Sequence, residues 1–398
     1  MRNYSCSRYL LFAAWFVWKA IPSAEAQLPQ PDPHKTPESP ILLDLPTSGT
    51  DPDKIDYDKL PRVKGTLIVI SPKDPNWKFQ LHNYLVRHEG LFWCMWSHGP
   101  AEDDPSQHIR YATSKDGLTW SESKVLAGPP KEGYAYIARG FWPRGGELLG
   151  MIAHFKGKGA FGVNKELKLE AYARDSKGAW KYKGLIHDNA INSYPPQKLP
   201  SGEWMMTRRE ARFTTSMLIG GVKALDDWQN VLILDYIKSL KVPAKTRFFP
   251  DEPIWYPLAD KNLVALFRDN GGSSRLFRSF STDMGRSWSK PVATNFPNAT
   301  SKTFTLQTSR GYRVLVNNAN PKMGRRQLML SISKDGLVYT RMLVLDIPAA
   351  KPASFQYPHV LEYDGYLWIA YSKDKATIEM LRVALRDLDP LPARPQKK

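Results

Sequence analysis

Four short segments of this chain repeat one pattern, and that repetition constrains the fold more than any other feature. Ser281-Thr282-Asp283-Met284-Gly285-Arg286-Ser287-Trp288 has the form S-x-D-x-G-x-[ST]-W. Ser114-Lys115-Asp116-Gly117-Leu118-Thr119-Trp120 is the same with one residue fewer in the turn. Ser333-Lys334-Asp335-Gly336-Leu337-Val338-Tyr339 closes on tyrosine, and Arg174-Asp175-Ser176-Lys177-Gly178-Ala179-Trp180 is a decayed copy. The spacing has a physical reason: the aspartate accepts backbone N–H groups across the turn, the glycine permits positive φ, and the aromatic packs back under the hairpin. Each copy falls at the same place in a larger unit made of an inner and an outer hairpin. Asp251 to Pro291 shows that unit best, and similar ones begin near Leu81, Tyr136, Tyr194, Thr303 and Tyr357. Long helical periodicity is absent, and short β-rich runs alternate with Gly, Pro, Asp and Asn turns. Six four-stranded antiparallel units of roughly fifty residues predict an all-β, six-bladed propeller over residues 54–390. Leu67-Ile68-Val69-Ile70 precedes the first unit and is placed to pair with the last, closing the ring.

The flanking segments read differently. A basic start with Arg2 and Arg8, an apolar run from Tyr9 to Trp18 and the Ala24-Glu25-Ala26 tripeptide predict a signal peptide over residues 1–26, hence a secreted or periplasmic protein. Lys19 breaks the run short of the ~20 apolar residues that a membrane-spanning helix needs. Residues 27–53 are proline-rich and predict a linker or an arm lying over the domain; residues 391–398 predict a loose basic tail. Of the two cysteines, Cys6 belongs to the leader, so Cys94 stands alone and disulfides do not hold the domain together. The net charge of +17 favours an acidic partner. Its basic residues are scattered over strands without a nucleic-acid motif, so an anionic glycan is the expected partner outside the cytoplasm. No His, Asp or Glu set has metal-ligand spacing, and no cofactor is expected. Asn298-Ala299-Thr300 fits a glycosylation sequon.

In a propeller, inner-strand starts and second-strand ends open on one face of the central channel. Reading the units in register, the inner-strand starts supply His82, Arg139, Pro195, Glu252, Lys302 and Tyr357. The second-strand ends supply His98, His154, Arg208-Arg209, Arg268-Asp269, Asn317-Asn318 and Ser372-Lys373. Histidine, arginine, glutamate and tyrosine brought to one mouth predict a shared cleft.

The repeated hairpins are Asp boxes, and from Leu67 to Leu385 the chain resembles the sialidases. That resemblance implies a tyrosine nucleophile activated by a glutamate, a first-blade acid, and three arginines clamping a substrate carboxylate. Tyr357 in Phe355-Gln356-Tyr357-Pro358 matches the nucleophile, and Glu252 in Pro250-Asp251-Glu252-Pro253 its partner. Arg268 matches one clamp arginine, and Arg325, with Arg326 as its rival, a second. The first-blade arginine is absent: the stretch reads Phe79-Gln80-Leu81-His82-Asn83-Tyr84, which leaves His82 or Gln80 in its place. Glu102, Asp103 and Asp104 are equal candidates for the acid, and His82, His98, Arg139 and Arg209 for substrate binding. A phenol with a pKa near 10 needs a neighbouring carboxylate to attack carbon, and arginine gives the bidentate grip that lysine does not. The reading is a glycoside hydrolase acting on a terminal sialic or uronic acid. A polysaccharide lyase using His82, His98, His154 or His359 and a non-catalytic glycan-binding propeller are its alternatives.

Overall fold

The computed structural model describes residues 36–235 and 248–389. Over these residues the chain forms six sheets of antiparallel strands arranged as the blades of a propeller. Blade 1 runs from its inner strand Phe79–His88 through Leu91–Gly99 and His108–Ser114 to Lys124–Ala127. Blade 2 holds Tyr134–Arg144, Glu147–Lys156, Lys168–Arg174 and Trp180–Asp188; blade 3 holds Gln197–Lys198, Trp204–Arg209, Thr215–Gly220 and Trp228–Leu234. Blade 4 is Pro250–Pro257, Leu263–Asp269, Arg275–Ser281 and Val292–Pro297, and blade 5 Phe304–Gln307, Arg313–Asn317, Met329–Ser333 and Arg341–Asp346. Blade 6 takes three strands from the end of the chain, Phe355–Tyr363, Tyr366–Lys373 and Thr377–Ala384. Its outer strand is Thr66–Ser71, paired antiparallel as Leu67↔Leu381 and Ile68↔Met380. The ring is therefore closed by the two ends of the chain, as the apolar run before the first unit implied.

The Asp boxes lie in the outer hairpins and behave as their chemistry requires. Asp283 Oδ1 accepts Ser287 N–H at 2.8 Å, Ser281 Oγ accepts Gly285 N–H at 2.8 Å, and Trp288 Nε1 donates to Gly285 O at 3.1 Å. Asp116 accepts Leu118 and Thr119 N–H at 2.8 and 2.9 Å in the same way. The glycines do more than turn. A Cβ on Gly117 would lie 2.6 Å from the Trp368 ring of blade 6, and one on Gly285 2.7 Å from Met205 Sδ of blade 3. Each of these two boxes thus seats its blade against the preceding one.

Apolar side chains fill the wedges between blades: Val316, Leu330, Ile369 and Leu381 between blades 5 and 6, and Trp96, Cys94 and Met380 between blades 6 and 1. The Cys94 thiol is buried and pushed well above its ordinary pKa by that burial, so it is a packing residue. The described part of the proline-rich arm, from residue 36, is built into this core. Leu42, Leu43 and Leu45 are buried, and the Asn295 side chain accepts Leu42 and Leu43 N–H at 2.8 and 2.9 Å while donating to Leu43 O and Thr50 O. Arg62–Lys64 then adds a parallel strand to the outer edge of blade 5. The leader and the basic tail expected from the sequence lie outside the described residues. Among the described residues no helix is long and apolar enough to cross a membrane. Asn298 is buried, with its side chain bonded to Ser301, so the sequon is a structural turn.

Candidate active site

The inner strands do not run straight to the mouth of the channel. The register shifts between Leu81 and Tyr84, Ala138 and Gly140, Asp251 and Ile254, and Gln356 and His359. These are β-bulges, which re-aim side chains that a regular strand would send to its two faces. His82, Glu252 and Tyr357 sit in three of them at φ of 57°, 41° and 57°, a region that non-glycine residues seldom adopt. Pro253 and Pro358 follow two of them, where the missing N–H removes no ladder bond. The four bulges carry His82, Arg139, Glu252 and Tyr357 into one cleft of about 170 Å³, also lined by Glu102, Asp103, Arg209, Asp251 and Arg268.

Arg268 is the hub. Its Nε lies 3.1 Å from Asp251 Oδ2, its Nη2 bonds the same oxygen, and its Nη1 lies 3.1 Å from Glu252 Oε2. Tyr357 lines the same cleft, where its phenol and the Arg268 guanidinium interact electrostatically. The other Asp251 oxygen pairs with Arg209, whose guanidinium lies 3.8 Å from the centroid of the Phe161 ring. Burial alone would raise the Glu252 carboxyl, but Arg268, Lys302, Arg209 and Arg139 outweigh it and bring the group down to about 2. Burial, and then the Glu252 charge, push the Tyr357 phenol well above its ordinary value while Arg268 pulls it down. Asp103 is raised by burial and then by Glu102, against Arg139 and Lys375. His82 stands edge-on to Tyr357, with ring centroids 5.0 Å apart, and its Nδ1 is 3.1 Å from Ser97 Oγ. Burial, reinforced by Arg139 and Lys302, keeps it well below the ordinary imidazole value and neutral.

Several expected residues lie elsewhere. Asp104 is spent on a turn, accepting Ser106 N–H at 2.9 Å, and does not line the cleft. Glu102 and Asp103 both line it, and Glu102 is paired with Lys375. Arg325 donates to Gln356 Oε1 and Thr300 O, both at 2.8 Å, and lies outside the lining; Arg326 is exposed and bonded to Met323 O. Gln80 points away, donating to Pro72 O and Ala376 O, so His82 alone takes the first-blade position. His98 packs between Trp77 and His108, with Nε2 3.3 Å from Asp74, in a separate surface depression. His154 is held by Glu170 at 3.2 Å, and Arg208 by Glu210 at 2.8 Å. His359 is buried beneath the cleft, accepting Leu85 N–H at 3.2 Å, and burial brings it down to about 3. Lys302 is also below the cleft, donating to Tyr84 Oη at 2.9 Å and Ser193 O at 2.8 Å. The set of mouth histidines that a lyase would draw on is therefore reduced to His82. Among the described residues no group of three or more His, Cys, Asp or Glu is placed to hold a metal.

The sequence reading passed over Asp251 and the wall formed by Phe161 and Phe213, whose rings stack at 4.9 Å. On a regular strand, Asp251 and Glu252 would face opposite sides. The signal that finds Asp251 is the pair of adjacent acids before a proline, which suits a bulge.

Comparison with known proteins agrees with this architecture. A family described as a BNR repeat-like domain matches residues 228–369. Among solved structures, a protein of unknown function from Dyadobacter fermentans superposes with a TM-score of 0.62 at 13% identity, over 80% of this chain and 98% of the other. The Trypanosoma rangeli sialidase in complex with sialic acid gives 0.60 at 13% identity, over 82% of this chain and 60% of that one. The Ruminococcus gnavus intramolecular trans-sialidase bound to oseltamivir carboxylate gives 0.59 at 11%, over 82% and 99%. At these identities the likeness is one of fold. No curated protein matches the sequence.

Proposed function

We propose that this BNR-repeat propeller, which has the fold of the sialidases, is an exported glycoside hydrolase that removes a terminal sugar from a glycan by way of a tyrosyl intermediate. The observation that carries the reading is the convergence of Tyr357, Glu252, Arg268 and Asp103 in one cleft, with Glu252 kept anionic by the cations around it. In the first step the Tyr357 oxygen bonds to the anomeric carbon and the glycosidic C–O bond breaks. The leaving oxygen takes the proton of Asp103, and the phenol proton passes to Glu252. In the second step Asp103, now a carboxylate, takes a proton from water as its oxygen attacks the same carbon. The Tyr357–carbon bond breaks, and Glu252 returns its proton to the phenolate. Two groups of opposite tendency suit these roles: burial favours a protonated Asp103, and the surrounding cations favour an ionised Glu252.

The test is release of reducing sugar from a broad glycan panel by the purified protein and by Tyr357→Phe. The reading expects loss of turnover in the variant, with binding retained. Near-full activity of Tyr357→Phe on whichever glycan is cleaved contradicts the mechanism. Binding without turnover by the unaltered protein across the panel favours a glycan-binding propeller, and an unsaturated, ultraviolet-absorbing product a lyase acting through His82.

A further inference from the structure

The resemblance to sialidases carried an expectation about the sugar, namely three arginines gripping a carboxylate, and the cleft departs from it at each position. The first position holds His82, which is buried, neutral and turned to Ser97. The third, Arg325, directs both terminal nitrogens to Gln356 and Thr300 and does not line the cleft. The second, Arg268, does line it, but its Nε–Nη2 edge already holds Asp251 and its Nη1 faces Glu252. That edge is the fork with which arginine grips a carboxylate in two parallel bonds. Arg209 would be a substitute, yet it takes the other oxygen of the same aspartate. Asp251 is 3% exposed, so it is a fixed part of the site.

We infer that Asp251 is an internal carboxylate filling the anion-binding edge of Arg268 and pairing with Arg209, and that the cleft takes an uncharged sugar in place of a sialic or uronic acid. This rests on the glycosidase reading and names the substrate class of the same site. The electrostatics of the wall point the same way. Among the described lining residues, Arg139, Arg209 and Arg268 face Glu102, Asp103, Asp251 and Glu252. A further carboxylate placed beside Asp251 and Glu252 would lose its hydration and meet like charge. Arg139 has no carboxylate within ion-pair distance among the described residues; its Nη1 donates to Asn192 O at 3.2 Å and its Nε has no acceptor there. A single guanidinium opposite the acid Asp103 suits a ring hydroxyl, which accepts a hydrogen bond without adding charge. Phe161 and Phe213, packed beside Arg209, give the cleft an apolar wall for such a ring.

The test measures binding, so it is separate from turnover. Free sialic acid, methyl glucuronide and methyl galacturonide are titrated by calorimetry into the full-length protein and into Asp251→Asn. The unaltered protein should show no saturable binding of the three acids in the millimolar range. Asp251→Asn should gain about tenfold or more for at least one, the worth of one charge-assisted pair. His82→Arg, which adds an unshared arginine to the same cleft, should gain in the same direction and serves if Asp251→Asn does not fold. Saturable binding of an acidic sugar by the unaltered protein, or no gain in any folded variant, overturns the assignment. Failure of Tyr357→Phe to lose turnover would refute the hydrolase mechanism and leave this affinity pattern untouched.

Discussion

Asp103 owes its raised pKa to burial and, after that, to the charge of Glu102, and this gives the proposed acid a pH signature. An acid must be protonated, so kcat/KM should fall as the pH rises through the pKa of Asp103. Glu102→Gln removes the neighbouring negative charge, lowers that pKa, and should shift the alkaline limb of the profile to lower pH; an unmoved limb assigns the titration to another group. Asp103→Asn should lower kcat by about 10²–10⁴-fold, the usual span for losing a general acid. Aryl glycosides, whose leaving groups need no proton, should suffer less, and a steady-state comparison of aryl and alkyl leaving groups reads the difference. The residues legible in the sequence were those that a unit register brings to the mouth: His82, Arg139, Glu252, Arg268 and Tyr357 all line the cleft. Some that failed, such as Asp104 and Arg326, are held by near neighbours in local turns, and others by partners farther along the chain. Nothing local in Arg325 announces Gln356, 31 residues away, or in His98 its bond to Asp74.

At the scale of the hairpin and the strand, two devices set the geometry. The Asp boxes were legible because their chemistry is confined to a few consecutive residues, so a short motif carries its own hydrogen bonds. Their second role, seating one blade on the preceding one, was hidden because Trp368 is remote in sequence from Gly117. Gly117→Ala meets that ring at 2.6 Å from a backbone at φ of 74°, and should cost about 1–3 kcal/mol in denaturant unfolding. A variant as stable as the parent would show that the contact relaxes freely. The bulges in the inner strands are the other device. Alternation predicts that one of any two neighbours faces away from the channel, so Asp251 was invisible beside Glu252 until the register shift placed both in the cleft.

Over the whole molecule, closure depends on segments that precede the first complete blade. Thr66–Ser71 completes blade 6, and Leu42, Leu43 and Leu45 fill part of the core around blades 4 and 5 under the grip of Asn295. Asn295→Ala leaves the Leu42 and Leu43 amides without their acceptor and should lower stability by about 1–3 kcal/mol, read as a shift in the unfolding midpoint. The pairing of Leu67–Ile70 with the last blade was legible because a propeller must join its ends somewhere. The burial of the arm was not, since prolines and polar residues at that composition also describe a free linker. The rigid ring then holds the bulges of blades 1, 2, 4 and 6 around one channel, and the proposed chemistry rests on that convergence. The most direct measurement is intact-mass and peptide analysis of the protein after reaction with a fluorinated glycoside of whichever sugar it releases, a probe that slows breakdown of a covalent intermediate. The account predicts one glycosyl adduct per chain, located on Tyr357 and absent from Tyr357→Phe. An adduct on another residue, or full turnover by Tyr357→Phe, would contradict it.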